Sequence, residues 1–91
     1  MEQPNHQQNL VGPVVQKLRV AAGLSQEELA AKLQIAGWDL SRGGLSKIEA
    51  RLRRVNDAEL LVIAKVFKCG VAELYPKKVN DLESVLRQAR S

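Results

Sequence analysis

The chain has 91 residues, 14 of them Lys or Arg and 10 Asp or Glu, for a formal net charge of +4; this is the make-up of one small domain whose core leaves no room for a deep substrate cleft. One cysteine (Cys69), one histidine (His6) and three aromatics (Trp38, Phe67, Tyr75) exclude an internal disulfide, provide no set of zinc ligands, and are too few for the stacking platforms that hold single-stranded nucleic acid. No apolar run approaches the roughly 18 residues that span a bilayer, and the polar start lacks a leader pattern, so a cytoplasmic protein without membrane, metal or cofactor is expected.

Residues 1–11 are polar until Leu10 and Val11 and read as a flexible arm. Gly12-Pro13 opens a first helix over 13–22, in which Val14, Val15, Leu18, Ala21 and Ala22 recur at helical spacing before Gly23. Ser25 and Glu28 form a capping box for a second helix, with Leu29, Ala30 and Leu33 as its buried stripe and an end near Gly37. Either Asp39 or Ser41 caps a third helix over 42–51, where Leu45, Ile48 and Leu52 fall on one face. Asn56 and Glu59 cap a fourth over 57–67, lined by Leu60, Ile63, Ala64 and Phe67. A short fifth helix runs from Val71 to Tyr75 and stops at Pro76. Beyond Lys77-Lys78, Asn80 and Glu83 open an amphipathic tail helix bearing Val79, Leu82, Val85, Leu86 and Ala89, which is marginal alone and needs a surface to lie on.

The charge excess is local. Residues 42–54 hold Arg42, Lys47, Arg51, Arg53 and Arg54 against Glu49 alone, and the remaining charges balance at nine of each sign. A basic helix preceded by another helix and a turn suits a duplex: it fits the major groove, its cations neutralise phosphates, and its polar side chains reach base edges. No nucleophile, carboxylate pair or metal cluster stands at a usable spacing, so an enzyme is not expected.

The run Leu18-Arg19, Gly23-Leu24-Ser25-Gln26-Glu27-Glu28-Leu29-Ala30, Leu33, Leu45-Ser46-Lys47-Ile48-Glu49, Leu60, Ile63-Ala64-Lys65 and Val71-Ala72-Glu73-Leu74 resembles the phage repressor and Cro-like helix-turn-helix family, also called the xenobiotic-response-element family. The resemblance covers residues 12–76, between the arm 1–11 and the tail 77–91. It implies an all-α, five-helix DNA-binding domain whose third helix reads double-stranded DNA, often as a homodimer on a two-fold operator. It further implies a phosphate contact for Gln26, and base or backbone contacts for Arg42, Gly43, Gly44, Ser46 and Lys47. Arg51, Arg53 and Arg54 fall in the loop where the family approaches phosphates. Glu49 matches the acid that pairs with a helix 1 arginine, here Arg19. The alternative on the same fold is a protein-interaction module, such as an antitoxin, coactivator or regulatory subunit, with the tail helix engaging a protein partner.

Three departures stand out. The turn between helices 2 and 3 is about five residues longer than usual and carries Gly37-Trp38-Asp39-Leu40, with Trp38 either over the core or exposed beside a partner. Gly43 and Gly44 weaken the first turn of helix 3, so either the backbone approaches the duplex closely or this turn orders on binding. Arg51 replaces a common glycine, which predicts a helix 3 that runs on further. Cys69 reads as a buried structural thiol rather than a redox sensor, and His6 carries no interpretable signal.

Overall fold

The computed structural model describes residues 7–79 and 82–88, which contain helices and no strand. In chain order these are α1 (Gly12–Ala21), α2 (Gln26–Ile35), α3 (Arg42–Glu49), α4 (Asp57–Phe67), a single 3-10 turn (Val71–Leu74) and α5 (Leu82–Gln88). The expected all-α, five-helix domain with a tail helix is the architecture found, its fifth element being 3-10 rather than α-helical.

Side chains close the helix starts that backbone bonds leave open. Ser25 Oγ accepts the Glu28 N–H at 3.0 Å while Glu28 Oε1 accepts the Ser25 N–H at 2.8 Å. Asn56 and Glu59 do the same for α4 at 2.8 and 3.0 Å. For α3 the cap is Ser41, whose Oγ accepts the Gly44 N–H at 3.0 Å. At α1, Pro13 sits in the first turn, where its missing N–H costs nothing. The cap there comes from further back, since Asn9 Oδ1 accepts the Gly12 N–H at 2.8 Å.

Helices α1, α2 and α3 end alike, with Leu24 N–H on Arg19 O, Trp38 N–H on Leu33 O and Leu52 N–H on Lys47 O, at 3.1, 3.0 and 2.8 Å. Such a closure needs a left-handed residue just past the helix. Gly23 (φ 73°) and Gly37 (φ 108°) supply it without steric cost, but after α3 the residue is Arg51, at φ 63°. The expectation that helix 3 continues to residue 51 is therefore overturned: α3 stops at Glu49 and Arg51 itself takes the glycine-like conformation. Hydrogen bonds on both sides hold it there, Arg51 Nε donating to Asn9 O at 2.7 Å and Arg51 O accepting the Gln8 N–H at 3.1 Å. Leu52, expected on the buried stripe of helix 3, consequently lies past the helix end and is 68% exposed.

The core is built from Val11, Val15, Leu29, Leu33, Leu40, Leu45, Ile48, Leu60, Ile63, Ala64 and Leu74, each large aliphatic contributing about 1.5–3 kcal/mol by burial. Helix α3 packs on α1 and α2, while α4 packs on α2 and the 3-10 turn. The long α2–α3 turn is part of this packing. Leu40 is buried, Trp38 lies against the core, and Gln34 Nε2 donates to Leu40 O at 2.8 Å.

Although the polar sequence of residues 1–11 reads as a flexible arm, Gln7 to Val11 are bonded into the domain. Val11 is in the core, and Asn9 is 5% exposed. Helix α5 lies back on this segment: the Gln7 N–H donates to Ser84 Oγ at 3.0 Å, and Val85, Leu10, Val55, Leu60 and Tyr75 line a cavity of about 170 Å³ between them. The tail thus finds a surface within its own chain, leaving Leu82 and Leu86 outward. His6, the expected cap Asn80 and Ala89 lie outside the described residues. No described helix is long and apolar enough to cross a membrane.

Candidate nucleic-acid interface

Helix α3 has two chemically distinct sides. Leu45, Ile48 and Glu49 are buried, whereas Arg42, Gly43 and Lys47 are exposed and Gly44 and Ser46 half-exposed. The helix therefore presents a short polar and cationic strip, Arg42, Gly43, Ser46 and Lys47, to the outside. The two glycines play different parts. A Cβ on Gly43 would have only Ser41 Oγ nearby, at 3.8 Å, but a Cβ on Gly44 would stand 2.7 Å from Leu40 Cδ1. Gly44 is small because the long α2–α3 turn packs against it.

Glu49 is the one acid of the basic segment and it points inward. Arg19 Nε donates to Glu49 Oε2 at 2.7 Å and Arg19 Nη2 to Oε1 at 3.1 Å, a two-pronged ion pair whose side chains are 12% and 3% exposed. Arg19 Nη1 donates to Leu24 O at 2.9 Å, tying α1 to the turn before α2. The hydrogen bond that Arg19 donates to Glu49 raises the Arg19 pKa, outweighing the opposing effect of burial, so the guanidinium stays charged. Gln26 extends the network outward: its Nε2 donates to Glu49 Oε1 at 2.9 Å and its Oε1 accepts from Arg42 Nη1 at 3.5 Å. Four residues from three helices thus form one polar line, Arg19, Glu49, Gln26, Arg42, running from the interior to the rim of an open hollow at the start of α2.

In the α3–α4 loop the three arginines diverge. Arg54 is exposed. Arg51 is bonded back to Asn9, as described above. Arg53 turns inward, with Nη1 and Nη2 on Glu59 Oε1 and Oε2 at 3.2 and 3.1 Å, Nη1 on Arg54 O at 2.8 Å, and its guanidinium carbon 5.6 Å from the Trp38 ring centre. Burial pushes the Glu59 carboxyl up, but hydrogen bonds from Arg53 and the Asn56 N–H, with the Arg53 charge, hold it below its ordinary value. Asn9 completes the loop's attachment: its Nδ2 donates to Ile48 O at 3.1 Å and to Arg53 O at 2.8 Å.

The sequence singled out neither Asn9 nor the second role of Glu59. Asn9 lies outside any periodic segment and offered no signal, whereas Glu59 was legible as a capping residue and its reach to Arg53 was not. Cys69 is half-buried against the core, and burial, then Glu73, pushes its thiol pKa up.

The helix-turn-helix family model matches residues 15–74. Among solved structures, the restriction-modification controller protein C.AhdI from Aeromonas hydrophila is 31% identical, with a TM-score of 0.64 over 79% of this chain and 100% of that one. The clp gene regulator ClgR from C. glutamicum is 20% identical, with a TM-score of 0.63 over 94% of this chain and 95% of the other, a likeness of fold. The curated proteins contain no match.

Proposed function

Because the chain belongs to the repressor-type helix-turn-helix family, whose regulators bind double-stranded DNA, we propose that it regulates transcription by occupying an operator through the major groove. Helix α3 enters the groove, with Arg42, Ser46 and Lys47 towards base edges and Gly43 allowing close approach. Gln26, Arg54 and the backbone of the α3–α4 loop take phosphates. A second copy on the other half-site gives the two-fold complex usual for such readers.

The observation that carries this reading is the polarity of α3. Its one acid is consumed internally by Arg19, so every charge left on its outer side is positive. That strip is continuous, through Gln26, with the start of α2. The similarity to a restriction-modification controller protein and to a gene regulator agrees with a role in control rather than catalysis.

Selection of bound duplexes from a random pool, followed by a salt titration on the selected sequence, tests the reading. Affinity is expected to fall by about 0.9 log unit per tenfold salt for each phosphate contact. Arg42→Ala is expected to relax the selected consensus. Failure to bind any duplex at low salt overturns the reading.

A further inference from the structure

We infer that Arg53 is a positioning residue of this surface rather than a phosphate ligand: it clamps the loops before and after α3 to the start of α4. The inference rests on the DNA-binding reading above. Trp38 precedes α3 and Arg53 follows it, and the Arg53 guanidinium lies over the Trp38 ring at 5.6 Å. The same fork engages both Glu59 oxygens at 3.2 and 3.1 Å and Arg54 O at 2.8 Å. Glu59 is in turn fixed by accepting the Asn56 N–H at 3.0 Å. One side chain therefore bridges the two ends of α3 and seats both on α4.

Unlike the exposed Arg54, Arg53 is ill placed for a phosphate on two further counts. Its side chain is 32% exposed, and a phosphate approaching it meets the Glu59 carboxylate already bound to the same nitrogens, a like-charge encounter. Its own carbonyl is held by Asn9 Nδ2 at 2.8 Å, so backbone and side chain are both anchored. The pairing also requires arginine. A planar fork can grip a carboxylate with two nitrogens while its face covers an aromatic ring, and a lysine ammonium does not do both.

Three variants of the full chain, measured for affinity on the selected duplex across a salt series, test the clamp. Arg53→Lys keeps the charge and loses the fork, Arg53→Gln removes the charge, and Glu59→Gln removes the acid. The clamp requires each to bind about tenfold more weakly, the size of coupling found within one side-chain network, with a salt slope equal to that of the parent. A phosphate ligand at Arg53 gives the opposite set: near-parental binding for Arg53→Lys, a slope shallower by about 0.9 for Arg53→Gln, and unchanged or tighter binding for Glu59→Gln. That set overturns the clamp. Trp38 is the sole tryptophan, so its emission reports the same contact without DNA. A shifted emission maximum is expected in free, folded Arg53→Lys and Glu59→Gln, and unshifted spectra in both overturn the clamp. A parent chain that binds no duplex overturns the DNA reading instead, and is told apart by the first titration.

Discussion

At Glu49, charge and burial conflict, and the conflict is resolved by pairing. A carboxylate 3% exposed is tolerated because Arg19 meets it with two nitrogens and Gln26 with a third. Removing it leaves the Arg19 guanidinium buried and unpaired, so Glu49→Ala is expected to cost about 3–5 kcal/mol, read as a lower denaturation midpoint in urea. A midpoint unchanged from the parent rules out a structural role for the pair. Glu59 offers a second, pH-dependent measurement. Its pKa in the folded chain lies below the ordinary value of 4.5, so its contribution to stability is fully present above that value. The contribution is lost as pH falls through the folded pKa. The stability difference between the parent and Glu59→Gln is therefore expected to be largest near neutrality and to shrink in acid, as followed by denaturation at a series of pH values.

At the scale of elements, α3 is short and carries two glycines in its first turn, so its helicity comes from its surroundings rather than its composition. Ser41 caps it, Leu45 and Ile48 bury it, and the closure at Arg51 ends it. The two glycines are expected to respond differently to alanine. Gly43→Ala faces open space and is expected to stabilise the fold by up to about 1 kcal/mol, the difference in helix propensity. Gly44→Ala must displace the buried Leu40 methyl and is expected to give none of that gain. Thermal melts of the two variants make the comparison. On the reading of close DNA approach, Gly43→Ala also weakens binding while raising the melting temperature. The helix starts were legible in the sequence because capping chemistry is local: Ser25 with Glu28 and Asn56 with Glu59 need only four consecutive residues. The end of α3 was not, because Arg51 is held left-handed by bonds to Gln8 and Asn9, over 40 positions away in sequence.

At the scale of the whole molecule, the net charge of residues 42–54 is less uniform than its count. Arg53 is paired with Glu59 and Glu49 with Arg19, and Arg51 is turned back onto Asn9 O, so Arg42, Lys47 and Arg54 are the exposed cations of the segment. Which residues were basic could be read directly. Which of them faced outward depended on partners brought in from α1, α4 and the segment before α1, and no spacing rule encodes those. The same holds for the tail, whose apolar stripe announced a need for burial without saying that residues 7–11 would supply part of it.

Asn9 also has a consequence in time. Its two side-chain bonds to Ile48 O and Arg53 O join residues 39 and 44 positions apart, while the helices around them are closed by neighbours three to five residues away. Contacts that close long loops pay their entropy before they return anything, so they form late, after the local bundle has assembled. Asn9→Ala, expected to cost about 2 kcal/mol through the polar groups it strands, should then leave the folding rate nearly unchanged. Unfolding is expected to become roughly thirtyfold faster, in stopped-flow mixing with denaturant. The segment that secures the α3–α4 loop would thus be the last part of the domain to lock and the first to let go.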